Sequence, residues 1–298
     1  MFTSRPYAGQ RDLETLSTFL SQARSDIDRA HHLHAGDLVW QLFHMQAGFA
    51  LSEIVHLWED ANGTLLGFVL LYPALGFFDL EVQAQHRGRA LEEAMLRWAE
   101  THLRAPQGGD GALYTLVHEH DASRIKLLTE HGYTRGEPWL YLQRSLTEAI
   151  PTPRLPAAFR VRHVQDASEA GARAAVLAAA FGAPAQTERY RQLMQAPGYN
   201  IELDLVAVGP DGRFGAFALC WIDPVKKVGQ FEPVGTAPDF RRMGLGRAVL
   251  LEGMRQMQVR GAESVVVIVE EAEEAARALY ESVELKPCWR LFLYSKGR

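Results

Sequence analysis

One order of elements can be read twice along this chain, and a repeat of that kind dictates the architecture before composition is weighed. Between Arg5 and Arg144 the order is strand, helices, three strands, helix, strand, helix, strand; it starts again at Phe159 and closes at Tyr294. The offset is about 150 residues: Arg87 precedes Arg241 by 154 positions, and Pro138 in EPWLYLQR precedes Pro287 in KPCWRLFLYSK by 149. Between the copies lies SLTEAIPTPRLPAAF, where Pro151, Pro153 and Pro156 favour an extended linker. The sequence therefore predicts a domain over residues 1–146, a linker over 147–158 and a second domain over 159–298.

In the first copy, strands are expected at 54–59, 65–72, 77–82, 114–118 and 139–144, where apolar runs end in turn signals. Helices are expected from about residue 11, over 37–53 with Asp37 as the cap, and over 122–130 closed by Gly132. The second copy predicts helices at 167–181, 188–194 and 272–283 and strands at 159–164, 201–208, 214–221, 231–236, 264–269 and 289–294.

Residues 229–261 carry the chemistry. An extended stretch ending in Thr236 leads into Arg241-Arg242-Met243-Gly244-Leu245-Gly246, and a helix follows with Leu250, Met254 and Met257 on one face. Gly244 and Gly246 remove side chains, so backbone amides can approach a ligand closely at a helix N-terminus, where orphan donors and the dipole favour anions. Arg241, Arg242 and Arg247 add positive charge, and the whole reads as a pyrophosphate cradle. No Gly-Lys-Ser/Thr follows, and the glycine spacing differs from the dinucleotide GxGxxG.

Arg-x-x-Gly-x-Gly after a strand, with Val234 and Pro238 ahead of it, resembles the acetyl-CoA signature of the GNAT N-acetyltransferase superfamily. Both copies have the element order of that family, so the resemblance covers nearly the whole chain as a tandem pair. It implies an α/β (α+β) fold of two GNAT-like domains, each a mixed, mostly antiparallel sheet flanked by helices. It implies acetyl-CoA as co-substrate, held by Val234, Gly235, Thr236, Arg241, Arg242, Met243, Gly244, Leu245, Gly246 and Arg247. The family also carries a tyrosine that protonates the departing thiolate, in a pattern close to Asn-x-x-Ala-x-x-Leu-Tyr. Here Ala276, Leu279 and Tyr280 match it, while Glu273 replaces the asparagine and Glu284-Leu285 the usual Gly-Phe.

The first copy lacks these groups. Aligned on Arg87, it reads Ala90 for Gly244 and Glu92 for Gly246, which puts a carboxylate where pyrophosphate would lie. The tyrosine position is Leu128, and the counterpart of Glu232 is Phe78. Acetyl-CoA binding is therefore expected in the second copy alone.

Transfer to an amine needs a proton acceptor for the amine, a donor for the thioester oxygen and an acid for the thiolate. Glu232 is the candidate base, backbone amides near 234–236 the oxyanion donors, and Tyr280 the acid. The expected function is acetyl transfer from acetyl-CoA to a primary amine of a small molecule by direct attack. Two alternatives stand beside it: a mycothiol-synthase-like enzyme acting on a cysteinyl pseudo-sugar, and a non-catalytic acyl-CoA-binding sensor.

Composition excludes other classes. A formal charge of -5 argues against a surface for nucleic acid spread over the chain. No apolar run reaches the ~18 residues of a membrane helix, and the start MFTSRPYAGQRDLE has no apolar segment of a signal peptide. Cys220 and Cys288 form neither a disulfide framework nor a zinc cluster, so the expected setting is the cytoplasm. His31, His32, His34, His118 and His120 have no metal-site spacing and are read as polar loop histidines; no metal is expected. Two packed copies already mimic a dimer, so a monomer is expected.

Overall fold

The structure is a computed structural model and describes residues 2–22, 33–103 and 111–297. His31 and His32 lie outside the described residues. In chain order, β1 (Thr3–Pro6) and α1 (Gln10–Gln22) precede α2 (Ala35–Trp40), a π-helical turn (Gln41–Met45) and the short α3 (Leu51–Ile54). Next come β2 (Val55–Glu59), β3 (Leu65–Tyr72), β4 (Phe77–Val82), α4 (Ala90–His102), β5 (Leu113–His118), α5 (Ala122–Glu130) and β6 (Thr134–Ser145). The second copy supplies β7 (Arg160–His163), α6 (Ala170–Phe181), α7 (Thr187–Met194), β8 (Asp204–Val208), β9 (Phe214–Asp223) and β10 (Val228–Thr236). It closes with α8 (Leu245–Val259), β11 (Ser264–Glu270), α9 (Glu274–Glu281) and β12 (Lys286–Lys296).

The architecture is mixed α/β, and the strand pairing is mostly antiparallel, as the tandem reading requires. In one copy β1 to β4 pair antiparallel in sequence order; in the other, β7 to β10 do the same. Each run then meets a parallel neighbour over a short stretch: β4 with β5 at Phe77↔Tyr114, and β10 with β11 from Val228↔Ser264 to Gln230↔Val266. Parallel pairing of this kind needs a crossover helix, and α4 and α8 are those helices.

The compact units are not two consecutive stretches of chain. One comprises residues 2–22, 48–103, 111–141 and 289–297 among those described; the other comprises 33–47 and 142–288. The C-terminal strand β12 pairs with β5 in the first unit, from Leu291↔His118 to Lys296↔Leu113. Residues 33–47 of the first copy pack into the second unit, where Val39 and Trp40 join a core with Ala174, Tyr190, Leu193 and Trp221.

That segment also departs from the helix expected over 37–53. The α-helix stops at Trp40, and Gln46 N–H bonds back five residues to Gln41 O, which makes the π-helical turn. The cap is His34, whose ring accepts Gly36 N–H, while Asp37 sits three residues in and accepts His34 N–H. His34 is thus a loop histidine that is buried and caps α2, whereas His118 is not a loop residue but the buried last residue of β5. Residues 201–203 form a 3-10 turn, and the strand there starts at Asp204.

Candidate active site

β10 forms the floor of the site. Its ladder with β9 shifts register between Phe231 and Val234, and its ladder with β11 ends at Gln230↔Val266. Past Gln230 the two parallel strands part, which opens main-chain donors of β10 on the side turned from β9. Val234, Gly235 and Thr236 stay paired to Ala218, Phe217 and Ala216 on that other side. Gly235 is required by packing, because a Cβ there would stand 2.6 Å from Phe217 Cζ and 2.8 Å from Ala180 Cβ.

The basic loop leads from this opening into α8. Arg242 and Gly244 adopt left-handed backbone, with φ of 64° and 79°, and Gly244 caps α8 without any side-chain hydrogen bond to its first amides. Those amides are left for an external acceptor. At Gly246 a Cβ would come within 3.0 Å of Thr236 Oγ1 and 3.3 Å of Leu279 Cδ2, so a side chain there meets the strand and α9 at once. Arg241 reaches only the carbonyls of Thr236 and Ala180, at 3.4 Å each, and Arg247 donates to Ser282 O at 3.2 Å. Among the described residues none of Arg241, Arg242 and Arg247 is paired with a carboxylate. Open amides, a glycine-lined approach and three cations without counter-ions fit the pyrophosphate of a CoA thioester. Met243 is exposed beside them, and Leu245 is buried as the first residue of α8.

The first copy has the same loop with its anion built in. Glu92 is fully buried; its carboxylate accepts Gly88 N–H and binds Arg124 Nε at 2.6 Å. Leu128 and Phe78 are closed in the core, as their residue types demand.

Glu232 and Tyr280 are brought together. Trp221 Nε1 donates to the Glu232 carbonyl at 2.7 Å and pins the main chain, while the Glu232 carboxylate and the Tyr280 hydroxyl make no hydrogen bond among the described residues. Burial and the neighbouring charge of Asp37 push the Glu232 carboxyl up to about 8. Burial, and then the charge of Glu232, push the Tyr280 phenol up as well, so it keeps its proton. The charge of Glu232 thus acts on Tyr280, as that of Asp37 acts on Glu232.

Asp37, which shapes Glu232, gave only a helix-cap signal in the sequence. It is held by Gln230 Nε2 at 2.6 Å, and His34 Nε2 lies 3.0 Å from Val228 O, so two contacts fasten α2 to β10. The resulting cavity of about 470 Å³ is lined by Glu232 and Pro233 below, the π-helical turn on one side and α6 with the start of α7 on the other. Its other wall residues, Trp40, His44, Leu177, Phe181 and Arg189 among them, carry no sequence motif. Among the described residues no group of side chains has the makings of a metal site, and no helix is long and apolar enough to cross a membrane.

Known proteins resemble this chain. The acetyltransferase (GNAT) family model matches residues 175–284. The mycothiol acetyltransferase of Saccharomonospora viridis is 28% identical over 251 residues, covering 80% of this chain and 76% of that protein. That of Salinispora tropica is 29% identical over 236 residues, 75% of each chain. Two solved structures share the fold: a GCN5-related N-acetyltransferase from Sphaerobacter thermophilus, with TM-score 0.69 and 21% identity over 99% of this chain and 95% of that one, and a tandem GNAT protein from the clavulanic acid biosynthesis pathway, with TM-score 0.67 and 13% identity over 99% and 98%. The C-terminal half thus carries a domain matched by the GNAT acetyltransferase family model, and the whole chain shares the fold of a tandem GNAT protein.

Proposed function

We propose that the C-terminal half transfers an acetyl group from acetyl-CoA to a primary amine of a small molecule, by direct attack. The observation that carries this reading is the open pair of Glu232 and Tyr280 beside the splayed end of β10. Bound acetyl-CoA supplies an activated acyl carbon. Arg241, Arg242, Arg247 and the amides from Met243 to Gly246 hold its pyrophosphate, and β10 amides at 234–236 face the carbonyl oxygen. Glu232 takes the amine's proton: its carboxyl titrates near the working pH, where a base both accepts and releases protons readily. Tyr280 offers its hydroxyl to the departing sulfur.

The relatives favour a narrower acceptor. Their shared name, mycothiol acetyltransferase, supports the amine of a cysteinyl pseudo-sugar over an unspecified amine. Mass spectrometry of a panel of amines incubated with acetyl-CoA and the protein tests both readings. Acetylation of any panel member supports transfer, and the pseudo-sugar used far above the rest supports the narrower acceptor. Acetyl-CoA bound with no amine consumed would favour an acyl-CoA sensor.

A further inference from the structure

The cavity above Glu232 has one anion and one cation among its lining residues, Glu232 and Arg189. Most of the wall between them is apolar, with Trp40, Leu177 and Phe181 among the largest side chains. Arg189 is half-buried in the first turn of α7, where the helix dipole disfavours a cation, so helix stability does not account for it. Its neighbour Glu188 is engaged with Arg191 at 3.2 Å, and Arg189 itself makes no ion pair or hydrogen bond among the described residues. A second observation points the same way. His44, only 7% exposed on the π-helical turn, lines this cavity with no hydrogen-bond partner for either ring nitrogen. A half-buried guanidinium without a counter-ion calls for an anion from outside.

We propose that the acceptor is an amine on an apolar, preferably aromatic, body that also bears a carboxylate, and that Arg189 selects it by pairing with that carboxylate while the amine meets Glu232. This rests on the amine-transfer reading of the site. The volume, about 470 Å³, suits a ligand of that size. A pseudo-sugar has many hydroxyls and no carboxylate, so an apolar wall leaves the hydroxyls short of partners and Arg189 without its counter-ion.

The test compares matched amines that differ by the carboxylate: benzylamine with para-aminomethylbenzoate, and phenethylamine with phenylalanine. The cysteinyl pseudo-sugar is included, and wild type is compared with Arg189→Gln and Arg189→Glu. The expected result is a kcat/KM at least about tenfold higher for the carboxylated partners, falling to near parity in Arg189→Gln and reversing in Arg189→Glu. Unchanged acetyl-CoA affinity by calorimetry shows that the variants are folded. Parity in wild type, a preference that survives Arg189→Gln, or better use of the carboxylate-free pseudo-sugar would overturn the proposal. If no amine is acetylated, the transfer reading fails on its own. Calorimetric binding of the same pairs in the presence of CoA then decides this proposal: a preference for the carboxylated members upholds it, and equal binding overturns it.

Discussion

Arg124 Nε donates to Glu92 Oε1 across 2.6 Å, with both side chains closed to solvent. The other Glu92 oxygen takes the Gly88 amide, so the loop of the first copy is filled by its own carboxylate. At the corresponding place the second copy has Gly246. Calorimetric titration should find one acetyl-CoA per chain, and Gly246→Glu should abolish it. Two sites, or binding that survives the substitution, would make the first copy a second acetyl-CoA site.

The same ion pair predicts a stability effect. Asp121, 3.9 Å from Arg124 Nε, adds charge, and these acidic neighbours more than offset burial in holding Arg124 protonated. Glu92→Ala removes the main counter-charge and leaves a cation buried, which costs about 3–5 kcal/mol. Thermal unfolding should show a clear loss in Tm, while acetyl-CoA affinity of the folded protein stays as in wild type. An unchanged Tm would mean that water reaches Arg124.

In the proposed reaction Glu232, as the base, sets the pH response. With its carboxyl near 8, the base form grows as pH rises through that value, so kcat/KM should climb through a limb near pH 8. Glu232→Gln should lower the rate and remove this limb. Asp37→Asn takes away the charge that helps raise Glu232, so the limb should move to lower pH. Stability runs the opposite way: a carboxyl held above its ordinary 4.5 favours the fold at low pH, and that advantage is lost as pH rises from 4.5 through about 8. A limb that stays in Glu232→Gln would assign it to another group.

Tyr280→Phe keeps the buried ring and deletes only the hydroxyl. That hydroxyl makes no hydrogen bond among the described residues, so the fold loses little. The expected outcome is a fall in kcat of about 10²-fold, with acetyl-CoA affinity barely altered. Equal losses in both would point to a packing role.

What the sequence disclosed follows from where each signal lies. The 241–247 loop and the Ala276, Leu279, Tyr280 pattern are local, because amide cradles and helix faces need particular residues at fixed spacing. The bounds 65–72, 77–82 and 122–130 were legible for a similar reason: apolar runs end there at glycine, proline or an acidic cap. The cavity above Glu232 was not. Trp40 and His44 belong to the first copy in sequence but pack in the unit of the second, and no periodicity announces such an exchange. Asp37 reads as a helix-start residue; its bond to Gln230, 193 positions away, fixes it on β10, and its charge there raises the Glu232 carboxyl. Arg189 is one arginine among many until its lack of a partner is seen.

His44 makes the cavity wall sensitive to acid. Its ring stacks on Trp40, with centroids 4.1 Å apart, and meets the edge of Tyr190. Burial, with the positive charges of Arg173 and Arg189, pushes its protonation down to about 4 from an ordinary 6.5. The neutral ring is therefore favoured in the fold. Its contribution is complete above 6.5 and is lost as pH falls from there toward 4, reaching up to about 3 kcal/mol. His56, held near 4 by burial in the first unit, adds a second acid-sensitive contribution, so wild type alone does not isolate His44. His44→Phe keeps an aromatic ring against Trp40 and removes the titration. Plotted against pH, the Tm of this variant should fall less steeply than wild type between 6.5 and 4 and run parallel to it above 7. Parallel curves throughout would show that His44 is protonated without cost in the folded protein, and the cavity would then carry a second positive charge beside Arg189.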